Sequence, residues 1–252
     1  MTLLSRGIRR QDAHWFHRSR SQSGHAWYEE AVSHPADIVL DVVLPCLDEV
    51  GALPWVIDRI PDGMRAIVVD NGSTDGSVEI ARSLGATVVQ CSQRGYGAAC
   101  HAGLEAASAE FVAMCDCDAS LDPRNLSGLL DAVRSGADLA ICRRRPVSWA
   151  AWSLPARVAN RELARRVRKR TGARIADVGP MRVARREPLL ALQISDRRSG
   201  YPVETVVRAA DAGWRIESVD VVYRERIGHS KVTGTVRGYV EAMRDMTAVL
   251  HR

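Results

Sequence analysis

The stretch MCDCDAS, residues 114–120, alternates two aspartates, Asp116 and Asp118, with two cysteines, Cys115 and Cys117. Residues two apart on an extended chain project to the same face. Asp116 and Asp118 would then point together, and Cys115 and Cys117 would point the other way, into packing. Geometry disfavours a disulfide between residues i and i+2. A thiolate metal site would need two more soft ligands, and the sequence offers none in register. Free cysteine packs as a small hydrophobe, so the aspartates are the chemically active pair. Two acids roughly 6–7 Å apart on a strand are compatible with a glycosidase acid and nucleophile, although such carboxylates usually flank a bond from opposite sides. A hard divalent cation fits better: Mg2+ commonly takes one or two carboxylates and fills its other positions with substrate phosphates and water.

Other acids fall at comparable places. The segment PCLDE carries Asp48 and Glu49, and DNGSTDG carries Asp70, Asn71 and Asp75. Each follows an apolar run of strand length. In open parallel sheets, ligands bind beyond the carboxyl ends of the strands. Three strand ends thus deliver acids to one edge, which points to a shared acidic site; ordinary helix capping explains Asp75 equally well. A dinucleotide site is a poor fit, because it needs G-x-G-x-x-G directly after the first strand and this chain has PCLDEVG there. RGYGAACHAG follows the third strand instead. Gly95 and Gly97 could let backbone approach a ligand, or could simply serve a loop entering a helix.

The elements that must position these residues alternate. DIVLDVVLP, MRAIVVD, ATVVQ, EFVAMCD and ADLAICR read as five strands. EVGALPWVIDRI, TDGSVEIARSLG, GYGAACHAGLEAAS and PRNLSGLLDAVRSG read as the helices between them. The second helix has an N-cap candidate in Ser73–Asp75 and Gly85 as its C-cap; the fourth starts at Pro123 and ends at Gly136. Near-continuously apolar strands alternating with helices predict an α/β protein: a Rossmann-like, mostly parallel sheet with helices on both faces. Beyond residue 143 the regularity fades. A helix is expected over 150–170, an irregular stretch ending in a strand over RIADVGPMRVARRE, a helix in VETVVRAADAG closed by Gly213, a strand in WRIESVDVVYRER, and a C-terminal amphipathic helix. Residues 1–36 read as a poorly ordered extension with a short helix near Trp27. Its four histidines, His14, His17, His25 and His34, have no compact metal-site spacing.

The chain has 252 residues, of which 46% are hydrophobic and 26% charged, ordinary values for a soluble globular protein. Its six cysteines are scattered with no C-x-x-C pair, as expected of reduced thiols rather than a disulfide framework. No run approaches the roughly 18 apolar residues that span a bilayer, and the N-terminus lacks the apolar region of a signal peptide. A cytoplasmic protein, peripheral at the inner face of the membrane if it meets one, is expected. The net charge of +5 is uneven: residues 143–170 hold ten Arg and Lys against one acid, Glu162. On a helical wheel Ala156, Ala159, Leu163 and Val167 share one face, and Arg157, Arg161, Arg165 and Arg168 lie nearly opposite. Residues 149–170, with Trp149 and Trp152 at their start, read as an element drawn to anionic lipid or as a solvated charged face. No nucleic-acid module is recognisable.

In their order, these segments resemble glycosyltransferase family 2, with a GT-A fold, near its dolichol-phosphate mannose synthase and polyprenyl-phosphate sugar transferase branch. LPCLDE resembles that family's L-P-x-x-N-E opening, VVDNGSTDGS its V-D-D-G-S-T-D-G-T, RGYGAACHAGLEAA its N-x-G-x-G-x-A-x-x-x-G-x-x-A, CDCDAS its D-x-D motif, and RIGHSKVTGTVRG its R-x-G-x-S-K segment. The resemblance covers about residues 38–245. It implies a domain over 37–252, with a nucleotide-sugar half at 37–143 and an acceptor half with the C-terminal helix at 144–252. It implies a metal-dependent, inverting hexosyltransferase using a nucleotide-diphosphate sugar and Mg2+ or Mn2+. Pro45, Asp48, Glu49, Asp70, Arg94, Asp116, Arg143, Arg226, Ser230 and Lys231 would bind the donor, and Asp116 and Asp118 the metal. Asp177 of DVGPMR, where relatives have D-x-x-S-G-F-R, and Glu204 of YPVET are the candidate bases. The leading acceptor is a polyprenyl phosphate; a soluble hydroxyl acceptor is the alternative within enzymes, and a non-catalytic nucleotide-sugar or nucleic-acid-binding protein the alternative outside them. The sequence specifies no oligomeric state.

Overall fold

A computed structural model of the chain describes residues 38–228 and 236–251. The expectations placed on residues 1–36, including the helix near Trp27, lie outside the described residues, as do Ser230 and Lys231.

The strands are β1 (Leu40–Cys46), β2 (Met64–Asp70), β3 (Thr87–Gln90), β4 (Phe111–Met114), β5 (Leu139–Pro146), β6 (Arg182–Arg185) and β7 (Ile216–Tyr223). They form one sheet in the order β3-β2-β1-β4-β6-β5-β7. β6 runs antiparallel to both neighbours, and every other pairing is parallel. The helices are α1 (Leu53–Ile57), α2 (Ser77–Ser83), α3 (Tyr96–Ala106), α4 (Leu126–Arg134), α5 (Leu154–Thr171), α6 (Arg186–Ala191), α7 (Tyr201–Asp211) and α8 (Val236–Val249).

Side-chain alternation divides the core into two layers. Leu40, Val42 and Leu44 of β1, with Ala66 and Val68 of β2, pack on Leu53, Val56, Ala81 and Leu129 from α1, α2 and α4. Val43 and the β2 residues Ile67 and Val69 face Cys100, Leu104, Leu163, Val167, Val203 and Val206 from α3, α5 and α7. One charge interrupts the apolar run of β1. Asp41 is fully buried, and its carboxylate accepts hydrogen bonds from the amides of Ser108 and Ala109, at 2.6 and 2.9 Å, and from Arg65 Nε at 2.8 Å.

Three local expectations are corrected. The helix read over 49–60 is only the single turn α1, because the amides of Asp48, Glu49 and Val50 bond to the 73–77 loop and Pro54 sits at the helix start. The N-cap position of α2 is Gly76, at φ 92°, rather than a residue of 73–75; Asp75 instead accepts from the Ser77 amide and hydroxyl, at 3.0 and 2.5 Å. The strand read through Asp116 ends at Met114, so the two aspartates stand on a turn in which Ala119 takes φ 64°.

The glycines of RGYG serve chain-to-chain packing. A Cβ on Gly97 would stand 2.8 Å from the Arg198 carbonyl oxygen and from Tyr201 Cβ. This close approach lets the amides of Gly97 and Ala98 donate to the carbonyls of Arg198 and Arg197, at 3.1 and 2.8 Å, which satisfies the first turn of α3.

Candidate active site

The carboxyl ends of β1 and β2 carry two loops joined by reciprocal hydrogen bonds. Asp48, at φ 52°, donates its amide to Ser73 Oγ at 3.0 Å and accepts from the Thr74 amide at 2.8 Å. Glu49 N donates to Ser77 Oγ at 2.9 Å, and Asn71 N to the Cys46 carbonyl at 2.9 Å. The Asp48 carboxylate is therefore a brace between the loops. Glu49 and Asp70 are buried at the same edge, and Asp70 accepts from the Ser73 amide at 2.9 Å. Asp70 also lines a hollow of about 350 Å³ with Thr74, Glu79, Arg82 and Gln90; Asp116 and Asp118 do not. Pro45 is half-buried and gives its carbonyl to the Cys117 thiol at 2.9 Å.

Asn71, where the resembled motif has Asp, organises the next loop. Its amide group donates to the Cys91 and Gln93 carbonyls, and its oxygen accepts from the Gly95 amide at 2.8 Å. This holds Arg94 across the end of β2, with its guanidinium against Gly72.

The D-x-D turn lies beside these loops. Cys115 and Cys117 are buried free thiols. Asp116 is half-buried and accepts from the Tyr96 hydroxyl at 3.1 Å. Burial, then the charge of Asp118, push its pKa up to about 6. Burial and the Asp116 charge in turn raise the Tyr96 phenol well above its ordinary value, so it stays a proton donor. Asp118 accepts from the Ser120 amide at 2.9 Å through one oxygen. Its other oxygen is 3.3 Å from Arg226, which also reaches Glu49 at 3.2 Å. Arg226 arrives there because the chain after β7 lies along the turn: Arg224 N donates to the Ser120 carbonyl and Ile227 N to that of Asp118, both at 2.9 Å. Glu49, Asp116, Asp118 and Arg226 are thus brought together from three separate parts of the sequence.

Three expected site residues are engaged by partners of their own. Arg143 is opposite Asp220 on β7 and pairs with it, alongside Arg145, holding the Asp220 carboxyl down at about 2. One residue further along β5 the side chain turns to the other face. It is Arg144 whose charge reaches Asp116, and it lies 4.1 Å over the Trp152 ring and 5.4 Å over that of Tyr223. Asp177 is buried and fully engaged by Arg144, whose backbone amide, Nε and Nη2 donate at 2.8, 2.9 and 2.7 Å. Glu204 is buried at the start of α7 and accepts from the Ser195 amide and hydroxyl, the Asp196 amide and Arg208. Neither carboxylate stands open as a base.

The sequence reading missed Arg144, Tyr96 and Tyr223, and it took Trp152 for part of a lipid-facing element rather than a partner of Arg144. The run CRRRP offered three arginines, and only the register of β5 against β7 separates them. Arg182 was also missed. It is buried, and among the described residues its hydrogen bonds go to the carbonyls of Pro202 and Gly179, at 3.0 and 2.6 Å.

Among the described residues, no three His, Cys, Asp or Glu side chains converge on a metal position. The pair Asp116 and Asp118 fits an ion that takes only two protein carboxylates and draws its remaining ligands from substrate phosphates. Burial and then the Asp118 charge disfavour the ionised Asp116, and a bound cation would offset both.

The profile of Glycosyl transferase family 2 matches residues 40–192. An uncharacterized glycosyltransferase of Mycobacterium tuberculosis is 49% identical over 210 residues, 83% of this chain and 96% of the relative. A dolichyl-phosphate hexose transferase of Haloferax volcanii is 33% identical over 186 residues, 73% of this chain and 80% of the relative. The crystal structure of glucosyl-3-phosphoglycerate synthase from Mycobacterium tuberculosis, in complex with Mn2+, UDP-glucose and glycerol 3-phosphate, superposes with TM-score 0.65 at 25% identity, covering 85% of this chain and 79% of that one.

Proposed function

The chain belongs to glycosyltransferase family 2, and from that premise we propose that it transfers a hexose, with inversion, from a nucleoside-diphosphate donor to a polyprenyl phosphate. We take residues 37–143 as its donor half and 144–252 as its acceptor half. The observation that carries the reading is the D-x-D turn, where Asp116 and Asp118 share one electrostatic site with Arg144 and Arg226. Asp116 and Asp118 would hold Mg2+ or Mn2+. When bound, the ion would neutralise charge building on the departing diphosphate. Pro45, Glu49 and Asp70 would border the nucleoside. Arg94 and Arg226 add positive charge on the diphosphate side, and Ser230 and Lys231, outside the described residues, are assigned there by the resemblance alone.

The acceptor assignment follows from what the carboxylates are doing. Asp177 and Glu204 are occupied by hydrogen bonds, whereas a phosphate acceptor arrives as an anion and needs no base. Arg182, whose hydrogen bonds among the described residues go to neutral carbonyls, adds positive potential that suits an anionic acceptor. The name of the Haloferax relative supports the same class.

The approach to a lipid would run over the start of α5. None of the described helices is long and apolar enough to cross a membrane. Val147, Trp149, Leu154 and Val158 are exposed there, with the Arg157 guanidinium over the Trp149 ring and Arg161 exposed one turn further along α5. This combination suits attachment to an anionic bilayer surface.

A second reading, transfer to a small soluble acceptor, is favoured by the likeness to the glucosyl-3-phosphoglycerate synthase structure. One assay separates the two. The protein is incubated with Mn2+, each common UDP- or GDP-sugar, and either a polyprenyl phosphate in detergent or 3-phosphoglycerate. Butanol-extractable labelled product supports the lipid reading. Product confined to the aqueous phase overturns it in favour of the second. An absence of both transfer and donor binding would return the chain to a non-catalytic role.

A further inference from the structure

One guanidinium nitrogen of Arg226 lies within 3.3 Å of carboxylate oxygens of both Asp118 and Glu49. The contact is built in rather than incidental. The backbone bonds of Arg224 to Ser120 and of Ile227 to Asp118 bracket Arg226 on the D-x-D turn, and Leu121 and Tyr223 bridge just before them. The side chain is largely buried, at 30% exposure, and Glu49 and Asp118 are buried further. In that setting the attraction between the guanidinium and the two carboxylates is stronger than it would be in bulk water.

The Asp118 oxygen that meets Arg226 is the one not bonded to the Ser120 amide. It is therefore the oxygen best placed to ligate an ion. A divalent cation and a guanidinium on one oxygen would stand two like charges within contact distance. The two cannot share it without a large repulsive cost.

We propose that Arg226 and the divalent ion compete for this Asp118 oxygen, so that binding of the ion displaces the guanidinium. Until the ion binds, Arg226 holds Asp118 and Glu49 together. It yields Asp118 when the metal arrives, and turns toward the anionic diphosphate that enters with it. This rests on the assignment of the metal to Asp116 and Asp118. The exchange makes Arg226 oppose metal binding without nucleotide and favour metal binding with it. The site thereby disfavours capturing an ion before the donor is present, and Arg226 becomes a positioning residue that couples the chain after β7 to donor entry.

The test is metal binding, not turnover. Mn2+ is titrated into the full chain, with and without UDP and GDP, and free Mn2+ is read by electron paramagnetic resonance. Wild type, Arg226→Gln, Arg226→Lys and Asp118→Asn are compared. With Mn2+ alone, Arg226→Gln should bind at least about fivefold more tightly than wild type, the lower end of a typical coupling between sites. Arg226→Lys, which keeps the charge, should stay near wild type. With nucleotide present, the order should reverse, with Arg226→Gln the weaker. Unchanged or weaker Mn2+ binding by a folded Arg226→Gln overturns the exchange while leaving the metal site standing. Equal tightening in the Lys variant also overturns it, because the effect would not be charge. If wild type binds no Mn2+ under any condition, or Asp118→Asn binds as wild type does, the metal assignment itself falls and the exchange with it. A readout on the wild-type protein keeps the proposal testable should Arg226→Gln fail to fold: Mn2+ alone should speed phenylglyoxal labelling of Arg226, followed by peptide mass spectrometry. An unchanged labelling rate at saturating Mn2+ overturns the exchange.

Discussion

Arg144 grips Asp177 through three donors at once, its backbone amide, Nε and Nη2, with the guanidinium lying against the ring of Trp152. The pair is buried on both sides, at 14% and 3% side-chain exposure. Burial alone would lower the arginine pKa, but the Asp177 charge and hydrogen bonds outweigh it and raise it. The first prediction concerns this pair. Asp177→Ala should destabilise the fold by about 3–5 kcal/mol, because it leaves a buried guanidinium uncompensated. Asp177→Asn keeps the acceptor oxygen and should cost less, with kcat reduced no more than about tenfold. Urea unfolding and steady-state kinetics measure both. Complete loss of turnover in a stably folded Asp177→Asn would restore Asp177 as the base.

The second prediction concerns the D-x-D turn. Asp118→Asn preserves an oxygen for the Ser120 amide and removes the charge. Metal-dependent transfer should be abolished, while the melting temperature stays within about 4 °C of wild type, roughly 1 kcal/mol for a chain of this size. Near-normal turnover in this variant would remove the metal assignment.

Acid stability should carry the signature of Glu204. Burial works against its charge, but the amides of Asp196 and Ser195, the Ser195 hydroxyl and Arg208 prevail and hold its pKa below the ordinary value of 4.5. A depressed carboxylate pKa contributes stability that is fully present above the unfolded value and is lost as pH falls through the folded one. The wild type should therefore lose stability as pH drops below about 4.5. Glu204→Gln should be less stable at pH 7 and show a shallower decline over that acid range. Parallel pH profiles from urea melts of the two proteins would contradict the assignment.

The exposed start of α5 gives a fourth prediction. The full chain should float with vesicles containing anionic lipid at moderate salt, and binding should weaken as salt rises. The double variant Trp149→Glu, Val158→Glu should lose at least about tenfold in vesicle affinity while keeping its donor affinity. Failure of the wild type to bind such vesicles would end the membrane reading.

Much of this was legible without coordinates, for physical reasons that are local. Continuous apolar runs such as MRAIVVD, separated by helix-length segments, require a sheet buried on both faces, and β2 begins and ends where that run does. The residue types of the CDCD stretch already separated packing thiols from reactive carboxylates, and both thiols are buried, although the strand alternation expected there stops at Met114 and Asp118 is buried too. What the sequence could not decide were matters of register and partner. Arg143 and Arg144 are indistinguishable in the run CRRRP, because a one-residue step in a strand reverses the face and only the pairing of β5 with Asp220 on β7 reveals which way each turns. That the 73–77 loop bonds one oxygen of the Asp48 carboxylate could not be read from the chain alone, and Gly97 looked like a ligand contact until Arg198 filled the space beside it. The meeting of Arg226 with Glu49 spans 177 residues. Composition, periodicity and motif order set the elements and the kinds of chemistry available. Contacts between distant segments, which depend on how the sheet edges and loops close in three dimensions, decided which charged groups face one another across the site.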